Sequence, residues 1–458
     1  QAAFDNLNTI DFEPGDRILL AGGLTFAGNL YFSSEDLGTD ADPIVITSVG
    51  TGRATINAGD SYGINCYNTG GFDVSNLNVV GSGVAEDGTT TNTSAGLVFY
   101  ADVAGDVKFP MVHLDQVEVT GFGSRGVVVG GYNGSTGYND VRITKVVSHG
   151  NLRSGIETFG FTDVTDALSN VHIANCESYH NVGNGSRAAH GIVLGGVDGG
   201  IVERCVAFDN GQNNRSFGIR AYDSNDVTIQ HNEAHSNKTA GTNGATGFAF
   251  DLAVTNSVIQ YNYSHHNEGA GYLLFSDANI KGNVPENAGN VVRYNISEND
   301  GRYVGHAAAS GIQVGGRVLA STIHGNTVFI SGAGTSTTFP AVQVYGASYH
   351  DPDDVLLANN LFVAADNSEM VRFVSFYGGV TSFAGNNYWP SGGGLVIDYN
   401  GTTYTSLATW RTRTGQEQLN GIDVGSSLDP LLVAPGAGGT IGDPDLLSLL
   451  TAYHLQEG

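Results

Sequence analysis

Three acidic and two basic residues are spaced so that their side chains could act together in one site. The acids are Asp223, Asp251 and Glu157, and the bases are Arg220 and Lys238. Two carboxyl groups about 5–10 Å apart can hydrolyse a glycosidic bond, because one protonates the leaving oxygen while the other activates water or attacks the sugar. Elimination from a uronate needs instead a base and a cation that neutralises the uronate carboxyl group, and both basic residues are candidates for that cation.

Aromatic rings and a histidine accompany these charges. Tyr222, Phe159 and Tyr345 have flat faces on which sugar rings can stack. His190 directly precedes a repeated segment and can transfer a proton, although a single histidine there is more often structural. We expect these side chains, with the two basic residues, to bind the substrate. No spacing typical of a metal site occurs in the sequence.

The elements that must position these residues form a repeat. Each repeated segment starts with glycine and has apolar residues at the first and third positions after it, which predicts a short strand with its second and fourth residues pointing outward. A unit of 24 to 40 residues that cannot close its own core must stack on its neighbours. These Gly-led strands are predicted at 155–159, 191–195, 218–222, 247–251, 271–275 and 311–315.

The predicted stacking gives approximate distances between the charges. Coils stack about 4.8 Å apart, so the carboxyl groups of Asp223 and Asp251, on adjacent coils, would be roughly 5–7 Å apart. Glu157 lies three coils from Asp251, on the order of 14 Å, and fits better as a subsite residue. These outward charges, flanked by apolar residues and long loops, are the default hypothesis for a site.

Two asparagine series support the stack of coils, because asparagines at one corner can bond each other and the backbone. Rings precede the second series by two residues, and we interpret them as a ring stack rather than as metal ligands. Cys176 and Cys205 are expected to be stacked buried thiols, with a disulfide as the alternative, and Cys66 to be a core residue. The first series is Asn232, Asn262, Asn295, Asn326, Asn359 and Asn386; the second is Asn151, Asn181, Asn210, Asn237, Asn267 and Asn299; the rings are His149, Tyr179, Phe208, His235 and His265.

The order of Gly-led strand, second strand, asparagine corner and third strand resembles the right-handed parallel β-helix of the pectate-lyase-like superfamily, over about residues 60–395. This resemblance implies an all-β, single-stranded parallel β-helix (solenoid) with caps: 1–60 as N-terminal cap and first turns, 61–395 as β-helix, and 396–458 as C-terminal cap. Residues 221–224 and 228–232 are similar to a secreted bacterial group assigned to carbohydrate processing. That group implies an acid two residues before Asp251, where this chain has Ala249. The alanine is either natural divergence or the mark of an impaired variant.

Composition limits the partners. The formal net charge is −26, with 45 acidic and 19 basic residues, which argues against nucleic acid as a ligand. No apolar run is long enough to span a membrane. The acidity is typical of a secreted protein. The resemblance to the secreted bacterial group implies a secreted or periplasmic bacterial protein whose partner is a polysaccharide or oligosaccharide, and both a monomer and a homo-oligomer stay open. No cofactor is expected; calcium at the Asp-rich runs 39–42 and 351–354 is the less favoured alternative to solvated turns.

The sequence therefore predicts a polysaccharide-degrading glycoside hydrolase that uses Asp223 and Asp251, with Ala249 at the position of a lost acid. Two alternatives stay open. A polysaccharide lyase would use Arg220 and Lys238, although basic residues are scarce on the predicted strands. A carbohydrate-binding β-helix without catalytic activity is the other alternative, since fold does not imply function.

Overall fold

The computed structural model of the protein describes residues 2–161, 166–241, 244–277, 286–303, 309–332, 339–348 and 350–456. The fold is a right-handed parallel β-solenoid of about 12 turns, which confirms the predicted fold class. Two compact units divide the chain, Gln1–Val227 and Thr228–Gly458. The predicted boundaries of the caps stay a prediction.

In the first unit, each coil passes through three strand positions. The first sheet contains the Gly-led strands, and the second and third strands lie on either side of the asparagine corner. The first-sheet strands are Leu30–Phe32, Ile64–Tyr67, Leu97–Ala101, Val127–Gly131, Ile156–Phe159, Ile192–Gly195 and Phe217–Tyr222. The other strands are Arg17–Ala21, Thr25–Ala27, Ile44–Val49, Ala54–Gly59, Phe72–Gly81, Lys108–Phe109, Val112–Thr120, Gly137–Thr144, Val147–His149, Leu168–Ala174, Glu177–Tyr179, Val197–Glu203 and Val206–Phe208, and Ser224–Gln230 contains the unit boundary.

The second unit repeats the same arrangement. Its first-sheet strands are Thr246–Asp251, Tyr272–Ser276, Ile312–Gly316, Val342–Tyr345, Val371–Val374, Ile397–Tyr399 and Thr402–Tyr404. Its second strands are Val254–Thr255, Val258–Gln260, Asn287–Ala288, Val291–Arg293, Val318–Leu319, Thr322–His324, Val355–Ala358 and Thr381–Ala384. Its third strands are Glu233–His235, Tyr263–His265, Ile296–Glu298, Thr327–Ile330, Leu361–Ala365 and Asn387–Ser391.

The remaining elements lie at the two ends of the chain. The α-helices are Ala2–Leu7 and Leu407–Thr414, the 3-10 helices are Pro444–Leu449 and Thr451–Tyr453, and a hairpin joins Gln418–Leu419 to Ile422–Asp423. Within the described ranges, no helix has the length and apolar character needed to cross a bilayer.

Close approach of the next coil explains the glycine that leads many of the first-sheet strands. A Cβ on Gly191 would lie 2.4 Å from the carbonyl oxygen of Gly218 on the next coil, so only glycine fits. The residues that follow the glycines, Ile156, Ile192 and Ile219, have no solvent exposure and pack on one another along the core. Parallel pairing holds this register from coil to coil, as the sequence predicts.

The asparagine ladders form, with two corrections. In the second unit, each Nδ2 donates to the Oδ1 of the next member, through Asn232, Asn262, Asn295, Asn326, Asn360, Asn386 and finally the carboxylate of Glu417. The prediction of Asn359 as a ladder member is wrong by one residue. Asn359 has φ 53° at the turn, and Asn360 occupies the ladder position.

The second series forms separately in each unit. Asn151, Asn181 and Asn210 bond in sequence in the first unit. In the second unit Asn237 bonds Asn267, and Asn267 bonds Asp300. The predicted member Asn299 is therefore wrong, because Asp300 occupies the ladder position while Asn299 accepts a hydrogen bond from Ser331.

The predicted ring stacks and thiols are confirmed. The ring centroids of His149 and Tyr179 are 4.8 Å apart, and those of His235 and His265 are 4.7 Å apart, with nearly parallel planes. The three cysteines are buried and free, and the backbone N–H of Cys176 donates to the Sγ of Cys205 at 3.4 Å. The rings pack against each other between adjacent coils, so their spacing is explained without a bound ligand.

The C-terminal segment packs on the third strands of the second unit. The backbone N–H groups of Ile441 and Gly442 donate to the two carboxylate oxygens of Glu233, at 2.8 and 2.6 Å. The hydroxyl of Tyr453 donates to Glu298 at 2.6 Å. Trp410, in the second α-helix, has no solvent exposure and covers the side chains of the last coil.

Candidate functional site

Beside the first sheet of the first unit lies a cavity of about 320 Å³, which we call the arginine cavity. The described residues that give it its chemistry are Arg125, Arg153, Arg187, Arg215, Arg220, Glu157, His190 and Tyr222. The described lining thus contains five arginines and one carboxylate, in a chain whose formal net charge is −26. Such a local excess of positive charge favours an anionic ligand.

Loops and strands of consecutive coils supply the arginines. Arg125, Arg153, Arg187 and Arg215 each lie shortly before a Gly-led strand, so the loops of four successive coils contribute one each. Arg220 comes instead from a strand, in the outward row that pairs Glu157 with Val193 and Val193 with Arg220. Regular stacking therefore brings together cations that are far apart in sequence.

Glu157 is the counter-ion within this cavity. Its Oε1 accepts a hydrogen bond from Arg125 at 2.6 Å, and the residue is only 7% exposed. Burial alone would raise the pKa of this carboxyl group, but the charge and hydrogen bond of Arg125, with the charge of Arg153, lower the pKa to about 2. Glu157 therefore stays ionised near neutral pH, and it positions Arg125 rather than serving as a proton donor.

His190 is held as a neutral hydrogen-bond donor. Burial, and then the positive charge of Arg220, lower the pKa of His190 well below its ordinary value. The backbone N–H of Phe217 donates to its Nδ1 at 3.1 Å, so the neutral ring must carry its proton on Nε2. His190 can thus donate a hydrogen bond to a ligand without adding charge.

Tyr222 occupies space left by a glycine. A Cβ on Gly195 would lie 2.3 Å from Cζ of Tyr222, so the phenol ring covers Gly195 of the preceding coil. The guanidinium carbon of Arg220 lies 4.8 Å from the centroid of the same ring, a distance at which cation and ring attract each other. Burial, and then the charge of Glu157, raise the pKa of Tyr222 well above its ordinary value, so the phenol is protonated in the free protein.

The structure brings together part of the predicted site. Glu157, His190, Arg220 and Tyr222 line the arginine cavity. Phe159 lies outside its lining, with its ring 5.9 Å from that of Tyr100.

Asp223 follows Tyr222 directly and is 3% exposed. It lies directly after the strand Phe217–Tyr222 in the first unit, and it is not part of the cavity lining. Its predicted proximity to Asp251 joins residues of different units and stays a prediction.

The other predicted residues belong to the second unit. Ala249 and Asp251 lie on one strand, where they pair with Leu273 and Phe275, and Ala249 has no solvent exposure. Burial, followed by the charges of Asp251 and Asp277, raises the pKa of Tyr345 well above its ordinary value. Lys238 lies in the segment between the third strand Glu233–His235 and the first-sheet strand Thr246–Asp251.

Sequence reasoning missed Arg125, Arg153, Arg187 and Arg215. The predicted charges are those at the outward positions of the strands, whereas these arginines lie in the loops before the strands. A signal was present, because each precedes a Gly-led strand in four consecutive repeats. Basic residues are scarce on the strands of the first sheet, but the loops before these strands supply four arginines to the cavity.

One group of possible metal ligands occurs within the described residues, and its chemistry is structural. Ligand atoms of Glu233, His235 and His265 lie within 4.8 Å of one another. Glu233 already accepts two backbone N–H groups, and its Oε1 lies 3.0 Å from Nε2 of His265. The two imidazoles are stacked with an interplanar angle of 11°, so their lone pairs run parallel instead of converging on one ion.

The Asp-rich runs that offered a calcium alternative accept hydrogen bonds from backbone N–H groups. Oδ2 of Asp351 accepts the backbone N–H groups of residues 377, 378 and 379. Asp40 accepts the N–H of Met111 at 3.0 Å. These contacts join the runs to segments far away in sequence, and both interpretations, solvated turns and a calcium site, stay predictions that the contacts do not test.

Comparison with known proteins places the chain among right-handed parallel β-helices. The family described as "Right handed beta helix region" matches residues 166–362. The resemblance to pectate-lyase-like β-helix proteins is thereby confirmed as a resemblance of fold. No curated protein sequence matches the chain.

Solved structures show the same likeness. The A-module of the mannuronan C-5 epimerase AlgE6 from Azotobacter vinelandii has a TM-score of 0.52 and 14% identity, over 93% of this chain and 92% of that one. A GH136 lacto-N-biosidase from Eubacterium ramulus has a TM-score of 0.49 and 15% identity, over 78% of this chain. The match spans 63% of the lacto-N-biosidase, less than two thirds of its length. At these identities the likeness shows the fold alone.

Proposed function

We propose that this protein is a polysaccharide lyase that cleaves an acidic glycan at a uronate by β-elimination. The observation that carries this proposal is the convergence of five arginines with Tyr222 and His190 on one cavity. The similar solved structures are those of carbohydrate-processing enzymes, which agrees with a sugar substrate but does not carry the argument. The reaction favoured by the cavity thus differs from the hydrolysis that the sequence favours.

The arginines have two tasks in this proposal. Guanidinium groups bind carboxylates through paired hydrogen bonds, so Arg220 and its neighbours hold the uronate carboxylate. Neutralising that carboxylate makes the proton on the adjacent carbon, C5, easier to remove, because charge that develops on the carboxylate oxygens is stabilised. His190 adds an uncharged N–H donor from Nε2 to the same region.

Tyr222 transfers the proton. Its phenolate form takes the proton from C5, the C4–C5 double bond forms, and the bond from C4 to the leaving oxygen breaks. The phenol then returns its proton to the leaving oxygen, which regenerates the phenolate. Because the pKa of Tyr222 is raised in the free protein, we expect kcat/KM to increase with pH across the alkaline range.

The test compares Tyr222→Phe, Arg220→Gln and the unchanged protein on a panel of acidic polysaccharides. Ultraviolet absorbance reports the unsaturated product, and reducing ends report all cleavage. We expect both substitutions to lower the rate by about 10²–10⁴-fold, with Tyr222→Phe retaining binding. Tyr132→Phe, a substitution at an exposed tyrosine outside the cavity, is the matched control and should leave the rate unchanged.

Reducing ends without absorbance would contradict elimination and favour the second candidate, a glycoside hydrolase. The observation that favours it is the burial of two carboxylates at outward positions, Asp223 and Asp251, which are 3% and 8% exposed. In that case Ala249→Asp should raise activity, and Asp251→Asn should abolish it. Binding without any cleavage by either readout would favour a carbohydrate-binding protein instead.

The remaining expectations accompany this proposal. We expect a secreted or periplasmic bacterial protein, active without a cofactor, as a monomer or homo-oligomer. Activity that disappears with a chelator and returns with calcium would contradict the absence of a cofactor.

A further inference from the structure

A second cavity, of about 580 Å³, continues from the arginine cavity. Three residues line both, namely Arg153, Ser186 and Arg187. Because these three residues belong to both linings, the two cavities are adjacent in the first unit. We call the second one the hydroxyl cavity, after its lining residues Thr89, Thr90, Asn92, Thr93, Ser124 and Asn184.

The two cavities differ in charge. In the hydroxyl cavity, the charged residues among the described lining are Arg153 and Arg187, which lie on the shared wall. The rest of that lining consists of threonine, serine, asparagine, glycine and Leu152. Side chains of this kind exchange hydrogen bonds with sugar hydroxyls, but they cannot neutralise a carboxylate that has lost its water.

The wall of the hydroxyl cavity is anchored on other coils. The backbone carbonyl of Glu86 accepts a hydrogen bond from Nδ2 of Asn213 at 2.6 Å, and its carboxylate lies 3.0 Å from Nε2 of His180. A Cβ on Gly88 would lie 2.2 Å from the carbonyl oxygen of Gly183, so the segment is in close backbone contact. These contacts shape the cavity before a ligand arrives.

We propose that the substrate is a heteropolysaccharide in which an uncharged sugar is joined to the uronate. The uronate lies in the arginine cavity, the uncharged sugar lies in the hydroxyl cavity, and Arg153 and Arg187 bind at the junction. This inference rests on the proposed function. A polymer made only of uronates would bring a second carboxylate to a wall that offers hydroxyl and amide groups in place of cations, and desolvating that carboxylate is costly.

The test measures kcat/KM on two sets of polymers, one with uronates that alternate with uncharged sugars and one with uronates only. We expect at least a tenfold preference for an alternating polymer. Thr93→Trp, which fills the hydroxyl cavity from an exposed position, should lower kcat/KM on that polymer at least tenfold. Cleavage of polyuronates should fall less than cleavage of the alternating polymer, because a polyuronate gains little from the hydroxyl cavity.

Thr402→Trp is the matched control, since Thr402 is exposed on the strand Thr402–Tyr404 of the second unit and lines neither cavity, and it should change neither rate. Equal or better cleavage of polyuronates by the unchanged protein would overturn the inference while leaving the lyase proposal standing. An unchanged rate in Thr93→Trp on the alternating polymer would also overturn it. Absence of unsaturated product from every polymer would instead overturn the proposed function, and the inference with it.

Discussion

At the scale of single residues, Asp300 is the member of its ladder that differs from the others. Its Oδ1 accepts hydrogen bonds from the backbone N–H and the Nδ2 of Asn267, at 3.0 and 2.8 Å, and its Oδ2 accepts from Ser297. Burial disfavours the charged form and raises the pKa of Asp300 to about 6, despite these hydrogen bonds. The folded protein thus holds this proton more tightly than the unfolded chain does.

We predict that Asp300→Asn stabilises the protein above about pH 6. An acid with a raised pKa supports folding fully below its unfolded pKa of about 4 and loses that support as pH rises through about 6. Asparagine does not ionise, and it can donate to Ser297 as Asn267 donates to Ser264. The gain should be about 1–3 kcal/mol near pH 8 and close to zero near pH 4, measured by urea unfolding.

Asn267→Asp is the matched control for that substitution. It adds a second buried acid to the same ladder, so it should destabilise the protein most at high pH. A gain from Asp300→Asn that is equal at both pH values would contradict the explanation by ionisation, because it would come from packing alone.

Glu157 shows the opposite behaviour at the same scale. Its pKa is lowered to about 2, so its contribution to stability is present above the ordinary glutamate range and is lost only as pH falls toward 2. The pKa values of two buried carboxyl groups in one fold are therefore shifted in opposite directions. The difference lies in the partner, an arginine for Glu157 and neutral donors for Asp300.

At the scale of elements, glycines in the first-sheet strands make room for rings. A Cβ on Gly130, Gly195 or Gly315 would lie 2.0–2.4 Å from side-chain atoms of the aromatic residue on the next coil. Each ring therefore covers the strand before it. A glycine within a strand thus determines where the aromatic side chain of the next coil can lie. The pairs are Gly130 with Phe159, Gly195 with Tyr222 and Gly315 with Tyr345.

We predict that Gly195→Ala lowers elimination activity at least about tenfold while the fold persists. The added methyl group must displace the ring of Tyr222, and small displacements of a catalytic group are costly. The matched control is Gly315→Ala, which displaces Tyr345 in the second unit and should leave elimination nearly unchanged. Loss of activity is measured by product absorbance, and the fold by circular dichroism. Equal losses in both variants would contradict a specific role for Tyr222.

The same elements show what can be read from the sequence. Period-2 strands, Gly-led starts and stacked rings follow from local patterns and from the 4.8 Å spacing of coils, so the rows of Glu157 and Arg220 were predictable. The shift from Asn359 to Asn360 was not, because one residue in a left-handed turn changes the register. Four arginines of the cavity were missed because they lie in loops, one to four residues before the leading glycines, and the direction of a loop side chain does not follow from the alternation of a strand.

At the scale of the whole molecule, the charge of the chain opposes that of its cavity. The formal net charge of −26 repels a polyanion at long range, whereas the five arginines attract it at contact. Salt screens distant charges more than buried ones, with a Debye length of about 10 Å at 0.1 M. The two effects therefore respond differently to ionic strength.

We predict that kcat/KM on a polyanionic substrate passes through a maximum as salt increases. Rates should first rise as long-range repulsion is screened, and then fall as binding in the arginine cavity weakens. The measurement is initial rate at low substrate concentration across a series of sodium chloride concentrations. A rate that falls steadily from the lowest salt would show that repulsion by the whole chain does not limit encounter.

Both ladders of the second unit end in an acid, Asp300 in one and Glu417 in the other. An asparagine passes a hydrogen bond onward, because it accepts on one side and donates on the other, whereas a carboxylate only accepts. Glu417 also receives the hydroxyl of Tyr388 at 2.7 Å and the backbone N–H of Gly385. An added coil would therefore find no donor at the point where the ladder stops. The ladder that ends at Asp300 stops while the coils continue, since the strand Ile296–Glu298 pairs onward with Thr327–Ile330. Stacked parallel strands invite end-to-end growth into fibres, and Glu417, which ends the longer ladder, acts as a terminator that keeps a repetitive sequence finite.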